Sequence, residues 1–190
     1  DPAAASGQGD WVALGDSLGA GGISATGAAD DARLAQTEQA IIVAWIDRST
    51  GTAQVYVRQY SAGSWTELGT GSASGGGVSS SSNGVADLAI ASDGQRVSVS
   101  WTELVAGVRQ VYLREYVSGA WQARSGSASG GGVSAGTRDS RAPTLAYLAA
   151  LAGIVFVPEV MADPLFARYL QRFHDEEAGP SLPPVAGIDV

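Results

Sequence analysis

Asp47 and Glu103 each stand two residues beyond a tryptophan, Trp45 and Trp101. A carboxylate beside an indole can hold a sugar, because hydroxyls donate to the acid while the apolar ring face stacks on the aromatic. The simpler alternative is a turn-facing acid that accepts backbone amides where a strand ends. Arg58 and Arg114 each sit between two tyrosines, as Tyr56-Val-Arg-Gln-Tyr60 and Tyr112-Leu-Arg-Glu-Tyr116. Arginine with tyrosine and an acid can bind a carboxylate or a sugar; the same grouping also serves as a structural cation–π or ion-pair contact. Trp65 and Trp121 follow turn residues, where an indole either stacks on a sugar or packs with its N–H bonded outward. Trp45, Asp47, Arg58, Trp65, Trp101, Glu103, Arg114 and Trp121 therefore form the candidate ligand or interface set.

Other chemistries are excluded by composition. The chain of 190 residues has no Cys and one His, and all 11 of its basic residues are Arg. That removes disulfides, thiolate catalysis, Schiff-base lysine and multi-histidine metal sites. No cofactor, metal site or catalytic residue is expected. Gly15-Asp16-Ser17-Leu18 resembles the start of a lipase-type motif, but the partner Asp-x-x-His is missing; His174 is followed by acids, not preceded by them. The Gly-rich loops precede no helix and no Lys, so they are not phosphate cradles. With 19 acids and a net charge of −8, the basic footprint of nucleic-acid binding is missing.

These residues recur because the chain repeats. Gly71-Ser-Ala-Ser-Gly-Gly-Gly-Val-Ser79 returns letter for letter as Gly126–Ser134, and a relaxed copy occupies Leu18–Ser24. A tryptophan precedes each copy: Trp11, Trp65 and Trp121. Leu34, Leu88 and Leu145 follow as a second landmark. Ile41–Trp45, Val97–Trp101 and Ile154–Pro158 form a third, and the Tyr-x-Arg-x-Tyr segments with Tyr169–Phe173 a fourth. The period is about 55 residues, within the range of repeat architectures.

Each period predicts four short antiparallel strands. Val97, Val99 and Trp101 alternate with Ser98, Ser100 and Thr102, the period of a strand with two distinct faces. Turn signals separate the strands at Ser49-Thr50-Gly51, Ser61-Ala62-Gly63, Ser92-Asp93-Gly94, Ala106-Gly107 and Ser118-Gly119. The third unit departs: Pro158 replaces the tryptophan, Gln171 replaces the arginine and no closing Trp strand follows. Leu165, Phe166, Tyr169, Leu170 and Phe173 also fit a helix over 164–176, but the repeat favours a strand over 166–173.

This pattern resembles the repeats of secreted bacterial β-propellers, in the style of sialidase-like blades, although the Asp-box is not matched. The resemblance covers about residues 11–173. It implies an all-β fold, a partial β-propeller of about three four-stranded antiparallel blades, or the same blades completing a six-bladed propeller as a homodimer. The expected organisation is a flexible N-terminus (1–10), a displaced closing strand with its Gly-rich loop (11–31), blade 1 (32–85), blade 2 (86–141), a degenerate blade 3 (142–173) and an extended tail (174–190).

Three blades are too few to close a ring. The expected function is thus a non-catalytic structural or protein-interaction subunit of a larger extracytoplasmic assembly. The partner would be another protein or a second copy covering the exposed blade faces; the alternative is an oligomeric carbohydrate-binding lectin with a glycan as ligand. The start Asp1–Ser6 reads as a processed mature terminus, which places the protein in the periplasm or outside the cell. The uncharged run 142–158 is the one candidate for membrane contact.

Overall fold

A computed structural model describes residues 12–147. They form two four-stranded antiparallel sheets and no helix. The first contains β1 (Ala29–Gln36), β2 (Ile41–Asp47), β3 (Gln54–Ser61) and β4 (Ser64–Glu67). The second contains β5 (Val85–Ser92), β6 (Val97–Val105), β7 (Val108–Val117) and β8 (Ala120–Gln122). In each, spatial order follows chain order. The fold class is all-β, as the alternation requires. The third repeat's later landmarks, the strand-or-helix segment 164–176, the N-terminal 1–10 and the tail 174–190 lie outside the described residues, as does Trp11.

Local chemistry sets the hairpins. Ala62-Gly63, Ala106-Gly107 and Ser118-Gly119 each connect two strands with both residues at positive φ. This is the twist that two-residue hairpins need, and glycine at the second position adopts it without cost. Between β5 and β6, the Asp93 carboxylate accepts the amides of Gln95 (3.0 Å) and Arg96 (2.6 Å).

One landmark of the repeat is displaced. Leu34 lies opposite Val43, and the residue opposite the equivalent Val99 is Ile90, not Leu88. Leu34 is 69 % exposed whereas Leu88 is 3 % exposed. A two-residue offset keeps a side chain on the same strand face, so periodicity cannot detect it. The pairing slips at matching places in both sheets, between Asp30 and Arg33 and between Ala86 and Ala89.

β4 and β8 are short, and they leave half of their neighbours unpaired. β4 pairs only with Arg58–Ser61. The outward backbone groups of Val55 and Val57 need other partners, and the Gly-rich loop supplies them. Val57 N donates to Ser72 O (2.8 Å) and Ser72 Oγ to Val57 O (2.8 Å). Val78 N donates to Val55 O (2.7 Å) and Val55 N to Ser79 Oγ (3.0 Å). The second copy repeats every bond: Leu113 N to Ser127 O (3.0 Å), Ser127 Oγ to Leu113 O (2.8 Å), Val133 N to Val111 O (2.7 Å) and Val111 N to Ser134 Oγ (3.0 Å).

The sheets share one core. Ile42, Ala44 and Ile46 with Val55 and Val57 of the first sheet meet Val97, Val99, Trp101 and Tyr112 of the second, with Leu68 and Val78 between them. The opposite face of the first sheet, Val43, Trp45 and Tyr56, packs with Ile23 of the N-terminal segment.

The loop-to-strand contact gives a direct test. A Cβ on Gly132 would lie 2.2 Å from Val111 O, whereas one on Gly130 would meet nothing within 4 Å, and both residues have positive φ. Gly130→Ala should cost about 1 kcal/mol of left-handed strain. Gly132→Ala should cost at least about 2–3 kcal/mol, because strain and clash combine. Urea unfolding of the two variants measures the difference.

Candidate functional site

β2 and β6 carry the tryptophan–acid pairs into the interior. Trp45 is 3 % and Trp101 1 % exposed. Trp45 Nε1 donates to Asp47 Oδ2 (3.3 Å) and Trp101 Nε1 to Glu103 Oε1 (2.8 Å). The two residues share a strand face, since i and i+2 point the same way. Each indole also stacks with the tyrosine opposite it: Trp45 on Tyr56 at 6.0 Å and Trp101 on Tyr112 at 6.2 Å between centroids.

The acids are fully engaged. Asp47 further accepts Ser49 N (2.8 Å) and the Thr26 hydroxyl. Glu103 accepts Asn83 Nδ2 (3.3 Å) in place of any backbone amide. Burial alone would push the Asp47 carboxyl up. The hydrogen bonds from Ser49, Thr26 and Trp45 outweigh it and hold the pKa below the ordinary 3.8. Such an acid fixes the indole and closes the turn; neither partner presents a face to a sugar.

β3 and β7 with β4 and β8 build a second repeated feature at the boundary between units. Tyr60 and Trp65 pack at 5.3 Å, and Tyr116 and Trp121 at 5.5 Å. Trp65 Nε1 donates to Leu14 O (2.8 Å) and Trp121 Nε1 to Leu68 O (2.6 Å). Each Tyr–Trp pair covers the glycine that follows that carbonyl. A Cβ on Gly69 would lie 2.7 Å from the Tyr116 ring, and one on Gly15 3.3 Å from the Tyr60 ring. Each sheet thus clasps the segment before it. At the third such position the chain has Ser125 (φ 49), where the third unit carries no closing tryptophan.

Arg58 and Arg114 diverge despite their matching sequence. Arg58 Nη1 donates to Ile23 O (2.7 Å). Arg114 Nε is buried with no hydrogen-bond partner among the described residues. Opposite Arg58 stands Glu67, whose carboxylate accepts Gly71 N (3.0 Å) and Ala73 N (3.0 Å).

Of the eight candidate residues, the structure places Trp45 with Asp47 and Trp101 with Glu103, and Arg58 near Trp65 in a shallow crevice with Glu67. The described residues contain no cluster of three or more metal-ligating side chains. Gln54 and Gln110 also hold the repeated loops, although no chemical motif in the sequence singles them out. Gln54 Nε2 donates to Ser81 O (2.7 Å), while its Oε1 accepts Ser79 Oγ (2.7 Å) and Ser81 N (2.8 Å). Gln110 binds Gly136 and Ser134 in the same way. Their signal was the shared Gln-Val-Tyr at equal distance from each Tyr-x-Arg segment.

A second group lies on the face of β6 turned away from the first sheet. Tyr147 Oη lies 2.7 Å from Ser98 Oγ and donates to Glu115 Oε1 (2.9 Å). Arg96 sits 5.0 Å over the Tyr147 ring. Burial, with the Glu115 carboxylate, pushes the phenol up to about 12, so it stays a neutral donor throughout the physiological range.

No protein-family model matches the chain, and no solved structure does. Mannitol 2-dehydrogenases from two strains of Aspergillus fumigatus match a stretch of 46 residues at 44 % identity. The stretch is 24 % of this chain and 9 % of the dehydrogenases' length.

The depressed Asp47 pKa has a defined consequence. A carboxylate whose folded pKa lies below its unfolded value contributes stability that is complete above the unfolded value and is lost as pH falls through the folded one. Asp47→Asn should cost about 1–2 kcal/mol at neutral pH. The gap to the unsubstituted protein should narrow only below about pH 4, as read by denaturation midpoints across a pH series.

Proposed function

We propose that this chain is a non-catalytic β-propeller-type subunit, a structural and protein-interaction module of a larger assembly outside the cytoplasm. The two sheets are successive blades, and another protein or a second copy covers the faces left unpaired. One comparison carries the reading. Val78 and Val133 occupy identical places in identical loops and make the same backbone bond to the strand before them. Val78 is 1 % exposed because the second sheet lies over it, whereas Val133 is 58 % exposed. An apolar side chain held rigidly in an open position is what a following blade would bury. On the N-terminal side, Val12 and Leu18 are also largely exposed.

The non-catalytic part rests on the acids. Asp47 and Glu103 spend their oxygens on indole, hydroxyl and amide donors within the fold. Absence of Cys fits an exported protein and supports the extracytoplasmic placement.

Light scattering coupled to size exclusion tests this reading. The expected result is a self-associated species, or a chain that co-purifies with its partner, and Val133→Arg should shift it toward monomer. A stable, well-folded monomer would count against the proposal. The carbohydrate-binding alternative is favoured only by the crevice holding Arg58, Trp65 and Glu67. Sugar titration of tryptophan fluorescence separates the two, and a saturable response would select the lectin.

A further inference from the structure

The nine-residue loop occurs twice with the same sequence and the same glycine conformations, yet among the described residues only one copy has an anion. In the first copy, two amides that point out of the loop, Gly71 N and Ala73 N, close on the Glu67 carboxylate at 3.0 Å each. Backbone N–H groups that converge on one point favour negative charge there, and charge-assisted bonds of this kind are the stronger class. Arg58, across the strand pair from Glu67, adds Coulombic attraction. Although burial opposes ionisation, these donors together hold the Glu67 pKa below its ordinary value.

In the second copy the loop is superposable. Gly71 and Gly126 have φ of 79 and 81, Gly75 and Gly130 both have 55, and Gly77 and Gly132 have 59 and 62. The tyrosine bonds match too, Tyr56 Oη to Gly75 O and Tyr112 Oη to Gly130 O, both 2.5 Å. The acid is missing. The register puts Ala123 beside Trp121 and Gln122, where Glu67 stands beside Trp65 and Thr66 in the first copy. Gly126 N and Ala128 N meet no acceptor among the described residues. Arg114, the counterpart of Arg58, lines a crevice with Gly71, Ser72, Gly77 and Val78 of the first loop instead, and its buried Nε has no partner among the described residues. Gly126 and Ala123 are exposed, so the position is open to solvent.

We propose that the amides of Gly126 and Ala128 form a binding site for a carboxylate supplied by another molecule. The chain shows its own occupied form of that site at Glu67. The ligand class is a carboxylate, either of a small acid such as a uronic sugar or of an acidic side chain on a protein partner. The site does not depend on how the sheets are covered, so it stands or falls separately from the assembly reading.

The test is amide NMR of the full chain, titrated at constant ionic strength with acetate, with galacturonate and with a short Glu-containing peptide. The Gly126 and Ala128 amides should shift saturably. Ala123→Glu should supply the missing carboxylate internally, abolish that response and raise the melting temperature. Tighter binding of galacturonate than of acetate identifies a sugar acid, and tighter binding of the peptide identifies a protein carboxylate. The proposal is overturned if none of the three probes moves the two amides, or if Ala123→Glu binds acetate as well as the unsubstituted chain does.

Discussion

Half a strand edge governs the rest of this structure. β4 and β8 stop after covering the ends of β3 and β7, and the remaining backbone groups of Val55, Val57, Val111 and Leu113 would face either solvent or core unpaired. Leaving such groups buried and unsatisfied costs a few kcal/mol each. The Gly-rich loop folds back and bonds them with its own amides, carbonyls and serine hydroxyls. That closeness leaves no room for a side chain at Gly77 or Gly132. At that one glycine, the identity of the two loops has a steric basis.

The same segment also joins the units. On its way across the edge it places Val78 in the core between the sheets and offers the Leu68 carbonyl and Gly69 to Trp121 and Tyr116. Closing one sheet and docking the next are therefore a single structural event. The buried tryptophans fit this frame: an indole brings large apolar area but also an N–H that needs an acceptor, and Asp47 and Glu103 supply it from the same strand face.

The two sheets are not equivalent. Ile42, Ala44 and Ile46 give the first sheet an apolar face toward the second, where Ser98, Ser100 and Thr102 occupy the matching positions of β6. The polar face is bonded by Tyr147 through Ser98 and Glu115. Glu67 and Ala123 differ in the same spirit: the backbone repeats, and single side chains set what each copy holds.

The sequence alone determined the strands, the turns and the repeat, because alternation and Gly-containing hairpins are local and leave their mark within a few residues. It also pointed to Trp45, Asp47, Trp101 and Glu103 as linked pairs, since i and i+2 on a strand share a face. The displaced Leu landmark was not legible, because a shift of two keeps the same face. Only the tertiary structure decided what each repeated residue does. Arg58 reaches a carbonyl of the preceding segment while Arg114 does not, and Val78 is covered while Val133 is open. These outcomes depend on which neighbour lies across the boundary, and contacts between residues distant in the chain are set by the packing of whole sheets, which no local pattern encodes.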